Sequence, residues 1–227
     1  MSKNVLKASF YDRNPMVVAK ELLGKILVRK INWEFLSGII VETEAYLAAW
    51  DTAAHSSRGW TKATQSLYKP AGHLYIHAMH QQSLMDIVTD GEDVPCSVLI
   101  RALEPISGIE TMKKNRNSES VENLTNWPGK LCKALQIDRN LDGLNICSLD
   151  SEVYVLDTQI SDEINESIRI WITTNKEPLL RYYIAIQILI DSLISDEINE
   201  SIRIWITTNK EPLLRYYIAN NKFVSRW

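Results

Sequence analysis

Residues 25–46 read KILVRKINWEFLSGIIVETEAY. Two apolar runs flank Asn32, so the stretch predicts two strands joined by a turn near that residue. The second strand passes Ile39, Ile40 and Val41 and then carries Glu42 and Glu44. Residues two apart on a strand share a face, which puts Glu42, Glu44 and Tyr46 on one side. A buried carboxylate is costly unless it is paired, hydrogen-bonded or protonated. The pair therefore marks either a solvated edge or a site. The segment that follows, LAAWDTAAHSSRGW, is a loop of small residues carrying a histidine, and strand-end loops commonly hold sites.

Outward from this stretch the punctuation is clear. In NPMVVAKELLGK, Asn14 can cap a helix, Pro15 suits its first position and Gly24 suits the residue just past its end. CSVLIRALEP reads as a strand, LYIHAMH as a strand or a helix, and ISGIETMKKNR and GKLCKALQI as helices. Short strands mixed with helices, without a βαβ rhythm, predict an α+β domain. Its sheet is expected to be mixed, mainly antiparallel and curved, with flanking helices.

The chain has 227 residues, 45% of them hydrophobic, and a net charge of -3. That is enough to bury one core, so residues 1–227 are read as one domain. The acidic balance argues against a uniformly basic nucleic-acid binder but leaves room for a local basic strip. Cys96, Cys132 and Cys147 are odd in number and form no CxxC pair, which fits reduced thiols in a cytoplasmic protein. The N-terminal segment lacks the apolar core of a secretion signal.

ISDEINESIRIWITTNKEPLLRYYIA occupies residues 160–185 and recurs letter for letter at 194–219. Two copies are too few for a stacked solenoid, and IRIWITT and LLRYYIA read as strands. An extra tandem segment on a smaller domain follows, and the second copy is expected to be the native one because it continues into NNKFVSRW. A spare strand could also pair with another chain, so a strand-swapped oligomer is an alternative to a monomer.

All four histidines, His55, His73, His77 and His80, lie within residues 55–80. No Asp or Glu occurs between Ala53 and Met85, while Arg58, Lys62 and Lys69 do. One reading is a metal-dependent hydrolase, with His73 and His77 as ligands and Glu44 activating water. The other is a nucleic-acid surface, with basic groups on phosphates and the rings of Tyr46, Trp50, Trp60, Tyr75, His77 and His80 stacking on bases.

Several stretches taken in order resemble the alkyladenine (3-methyladenine) DNA glycosylase family. They are FYDRNPMVVAKELLGKILV, GIIVETEAYLAAWDTAAHSSRG, KPAGHLYIHAMH, VLIRALEPISGIETMKKNR, NWPGKLCKAL and LLRYYIANNKFVSRW. The resemblance implies a monofunctional hydrolase of base excision repair that acts on double-stranded DNA containing damaged purines. Alkylated purines, with deaminated ones beside them, would be removed by nucleotide flipping without a cofactor or metal. An inactive nucleic-acid-binding remnant is the alternative if the duplication damages the fold.

Carried over by position, the resemblance implies that Glu44 is the general base and that Tyr46 packs against the extruded base. His55 would border the pocket, His77 would be a second stacking ring and Arg101 would sit near the nucleotide backbone. His80 would fill the gap left in the duplex, and Arg58, Lys62 and Lys130 would hold DNA. Asp86 stands where the family commonly has an asparagine that helps exclude guanine, and Trp127 where it usually has glycine. The chemistry implied is a carboxylate that orients and deprotonates water beside an oxocarbenium-like sugar.

Overall fold

The computed structural model describes residues 4–48, 51–158, 164–167, 169 and 215–218. After a short helix, α1 (Ala8–Tyr11), comes α2 (Pro15–Leu22). The Asn14 side chain accepts the Met16 amide at 2.9 Å, as a helix cap does. Gly24 takes φ 80°, the left-handed conformation that lets the chain leave the helix. β1 (Ile26–Ile31) and β2 (Glu34–Tyr46) then pair antiparallel from Ile31↔Glu34 to Ile26↔Ile39. Their turn is Asn32 and Trp33, with φ of 45° and 70°. Two successive left-handed residues match the twist of a tight hairpin.

β3 (Leu74–Met79) and β4 (Gln82–Thr89) form a second tight hairpin, turned by His80 and Gln81 at φ 48° and 64°. LYIHAMH is therefore a strand. β5 (Cys96–Ser107), α3 (Ile109–Arg116), α4 (Pro128–Ala134) and β6 (Val153–Leu156) complete the ordered sheet and its helices. The strand order is β3-β4-β5-β2-β1-β6, with antiparallel neighbours throughout. This is the α+β architecture the sequence predicts.

Alternation divides the sheet into two faces. Val41, Ala45, Ile76, Met85, Ile87, Val98 and Ile100 join Val18 and Leu22 of α2 and Leu131 of α4 in the main core. Thr43, on the same face, donates its hydroxyl to the Ala19 carbonyl at 2.9 Å and ties β2 to α2. The opposite face carries Glu42, Glu44 and Tyr46 from β2 and Ser97, Leu99 and Arg101 from β5. Asp86 of β4 and Tyr75 and His77 of β3 complete it. Register shifts on β2 around Val41 and Glu42 bend the strand where it enters this face.

Among the described residues, each copy of the duplicated segment supplies one strand. β7 (Ile164–Ser167) comes from the first, β8 (Arg215–Ile218) from the second, and the two pair antiparallel. β8 also pairs with β2 from Glu42↔Tyr217 to Glu44↔Arg215. The expectation that the second copy alone fills the native positions is thus corrected: the hairpin is a hybrid. Identical sequences pair equally well, and connectivity chooses between them. The first copy follows β6 directly, and the second leads into the final residues. Most of the predicted strand IRIWITT, in both copies, and the first-copy LLRYYIA lie outside the described residues.

Candidate active site

Glu42 and Glu44 are fully buried, and so not on a solvated edge. Arg101 resolves their cost. Its Nε donates to Glu42 Oε1 at 2.8 Å and its Nη1 to Glu44 Oε2 at 3.1 Å. One guanidinium fork thereby compensates two desolvated carboxylates. Burial alone would lower the Arg101 pKa, but Glu44 and Glu42 outweigh it and hold the group charged. The Arg101 guanidinium also lies 5.1 Å from the centre of the Trp127 ring, so tryptophan at that position forms a cation–π contact.

Tyr46 donates its hydroxyl to the same oxygen, Glu44 Oε2, at 3.0 Å. Desolvation, reinforced by Glu44, raises the phenol well above its ordinary range, so it remains a donor. Two donors on one oxygen fix the plane of the carboxylate. Arg169 backs the tyrosine: its guanidinium is 4.6 Å from the ring centre and binds Asp51 through two bonds, at 2.6 and 2.8 Å. Asp51 also accepts the backbone amides of Leu47 and Ala53 at 3.0 and 3.1 Å. This double role shapes the loop that carries the chain from β2 to His55.

Beside this group stands a second cluster. His55 Nδ1 meets the Tyr75 hydroxyl at 2.9 Å, and its ring centre lies 4.4 Å from that of His77. Tyr75 and His77 stack with centres 5.2 Å apart and planes at 24°. His77 Nδ1 faces Asp86 Oδ2 at 3.1 Å, while Asp86 Oδ1 accepts the Ser97 hydroxyl at 3.2 Å. Partial desolvation, then the neighbouring His77, pulls the His55 pKa below its ordinary value.

Six of the residues singled out from the sequence are thus gathered on one sheet face: Glu44, Tyr46, His55, His77, Asp86 and Arg101. His80 stands apart and exposed at the tip of the β3–β4 hairpin, next to exposed Met79. Arg58 ends the short turn His55–Arg58, and Lys62 follows it; both are exposed. Lys130 is half-buried on α4 and donates to Asn126 Oδ1 at 2.8 Å. Trp50 lies outside the described residues. His73 does not join the cluster; its Nδ1 bonds the Pro70 carbonyl at 2.7 Å. Among the described residues no three His, Cys, Asp or Glu side chains converge in a metal-binding arrangement, so the His73–His77–Glu44 reading finds no geometric support.

Sequence reasoning missed the Asp51–Arg169 pair and the support that Ser97 gives Asp86. Asp51 and Arg169 lie 118 residues apart, with no local pattern to join them. Ser97 carries a weak signal: it sits two residues before Leu99 and four before Arg101 on a strand, and so shares their face.

A family model described as methylpurine-DNA glycosylase (MPG) matches residues 9–188. Many curated proteins are similar along most of the chain. One from Mesorhizobium japonicum is 42% identical over 168 residues, covering 74% of this chain and 80% of its own. One from Clostridium perfringens is 41% identical over 195 residues, covering 79% and 95%. One from Staphylococcus haemolyticus is 49% identical over 143 residues, covering 62% and 70%. Each bears the name "Putative 3-methyladenine DNA glycosylase".

Proposed function

The chain belongs to the methylpurine-DNA glycosylase family, and on that premise we propose that it releases alkylated purines from DNA by hydrolysis with Glu44 as general base. It is a hydrolase of the DNA glycosylase type, and its setting is base excision repair. The bond to be broken joins the sugar C1′ to a ring nitrogen and is hidden within the base stack, so the nucleotide is rotated out. His80 and its neighbour Met79, on the exposed hairpin tip, fill the gap left in the duplex, as flat or apolar side chains do. Arg58 and Lys62 hold phosphates, and Lys130 approaches the backbone from α4.

The extruded base enters beside Tyr46, His55 and His77. Alkylation at a ring nitrogen makes it cationic, so it is attracted to ring faces and is already a good leaving group. Glu44 takes a proton from water as that water attacks C1′, and its negative charge steadies the oxocarbenium-like sugar. Arg101 holds Glu44 in place. The Arg101 Nη2 group is buried without a protein hydrogen-bond partner among the described residues, and in this reading it serves the nucleotide backbone. Deaminated purines, which lack the positive charge, are weaker substrates. The described residues gathered at Glu44 include no lysine to form a Schiff base, and the reaction we propose ends at an intact abasic strand.

The observation that carries this reading is the burial of Glu44 on a strand, with its orientation fixed by Tyr46 and Arg101. Glu44→Gln keeps the shape and both contacts but cannot accept the water proton. It should bind lesion-containing DNA while releasing at least a hundredfold less base, the usual size of a general-base contribution. Full base release by that variant would refute the assignment.

A further inference from the structure

The loop that leads into α4 is pinned at both ends. Thr125 is fully buried; its carbonyl accepts the Leu103 amide of β5 at 3.1 Å and its hydroxyl donates to the Leu103 carbonyl at 2.7 Å. On the other side, Gly129 packs so closely on Gln82 of β4 that a Cβ would collide with that side chain. Between the two anchors Trp127 is extended, at φ -160° and ψ 146°, and its carbonyl accepts the Leu131 amide at 2.9 Å. Two residues beyond Thr125, its ring comes to lie over Arg101, two residues before Leu103.

The Arg101 guanidinium has a use for such a support. Its Nε and Nη1 are bonded to Glu42 and Glu44 at 2.8 and 3.1 Å. Both bonds restrain the group within its own plane and leave it able to tilt about the line that joins them. A ring against the flat face removes that freedom, because the cation is attracted to the π face and the contact blocks the tilt. The guanidinium carbon lies 5.1 Å from the Trp127 ring centre, within the range of this attraction. The half-buried ring also takes the place of water on that face, so the charge is less screened. The nitrogen that remains is Nη2, buried and without a hydrogen-bond partner among the described residues.

Resting on the glycosylase reading, we propose that Trp127 is a positioning residue: it fixes the tilt of the Arg101 guanidinium so that Nη2 meets a phosphate oxygen of the bound strand. Nη1 keeps its bond to Glu44 in the same plane. One rigid group then sets both the phosphate contact and the carboxylate, which ties the register of the DNA strand to the orientation of the general base. Trp127 acts through Arg101 and need not touch the DNA. A guanidinium that can tilt gives up the phosphate first, because its two carboxylate bonds remain.

The test measures binding of the full chain, over a series of salt concentrations, to duplex DNA holding a tetrahydrofuran abasic-site analogue that cannot be turned over. One phosphate contact contributes about 0.9 to the slope of log affinity against log salt. Trp127→Leu keeps an apolar cover but has no π face, and its slope should be shallower by about that amount. Trp127→Gly, which removes the side chain altogether, should do the same, and Trp127→Phe should keep the slope of the unmodified protein. With Arg101→Lys in place, Trp127→Leu should change the slope no further. An unchanged slope in both Trp127→Leu and Trp127→Gly overturns the inference, as does an equal change in Trp127→Phe or a further change in the Arg101→Lys background. Release of 7-methylguanine by the unmodified chain, measured in parallel, leaves the glycosylase reading intact in those cases; its absence overturns both.

Discussion

The guanidinium of Arg169 lies 4.6 Å from the centre of the Tyr46 ring, and the Tyr46 hydroxyl reaches Glu44. Through that contact the duplicated C-terminal segment supports the Glu44 carboxylate. The same segment pairs with the backbone of the carboxylate's own strand at Glu42–Glu44. Because Arg169 comes from the first copy and β8 from the second, the site is assembled from both.

Arg203 in the second copy has the same neighbours in sequence as Arg169, from ISDEINES before it to IWITTNKEP after it. When Arg169 is replaced, the second copy can supply an equivalent strand and arginine to the same place. Arg169→Met should therefore lose much less base-release activity than the double variant Arg169→Met, Arg203→Met. The double variant leaves Asp51 buried without its partner, which costs about 3–5 kcal/mol. Equal activity in the single and double variants would show that the Asp51–Arg169 pair does not support the site.

The repeat also makes a clean deletion experiment available. Removing any 34 residues whose first position lies between 160 and 186 yields one and the same 193-residue sequence, so it is immaterial which copy is called native. This shorter chain retains the INES and RYYI strands and the arginine. The connection between β7 and β8 shortens from 47 residues (168–214) to 13. Reduced loop-closure entropy should then stabilise the protein by about 1 kcal/mol. Urea unfolding and base-release rates of the two chains check this; a less stable or inactive short form would mean that the extra residues contribute contacts of their own.

Removing Arg101 tests the charge arrangement directly. Arg101→Met removes the guanidinium that the two buried carboxylates share, and stability should fall by about 3–5 kcal/mol. Arg101→Lys restores the charge but cannot reach both carboxylates with a planar fork, so it should recover only part of the loss. Thermal unfolding of the two variants gives the comparison. If Arg101→Met melts like the unmodified protein, the two carboxylates are compensated elsewhere.

Much of this was legible from local sequence. Asn14, Pro15 and Gly24 mark helix α2 because capping and φ preferences act within a few residues. The alternation of Glu42, Glu44 and Tyr46 places them together because a strand has a two-residue period. What the sequence did not reveal was long-range pairing. No pattern near Asp51 indicates that Arg169 will meet it, and nothing in the acidic run VETE shows that Arg101 compensates both carboxylates. The strand choice within the repeat was also hidden, since two identical segments give no local signal and only chain connectivity separates them. The row of cross-strand partners Glu44, Leu99 and Asp86 depends on register shifts in β2, which hydrophobic pattern does not specify.

The His55 imidazole gives the protein a dependence on mild acid. Its pKa is depressed by partial desolvation and by His77, with Asp86 opposing and Arg58 reinforcing the effect. A group whose folded pKa lies below its unfolded value favours folding above the unfolded value, about 6.5 for histidine. Below that value the unfolded chain takes up the proton more readily, so stability declines as the pH falls through the histidine range. Urea midpoints should therefore be flat between about pH 8 and 7 and should fall between about pH 6.5 and 5. His55→Gln keeps a polar side chain next to Tyr75 but cannot titrate, so its midpoint should decline less over that interval. Loss of the carboxylate contributions at still lower pH is common to both proteins and does not affect the comparison. Parallel curves from pH 8 to 5 would place the acid sensitivity outside the His55–His77–Asp86 cluster.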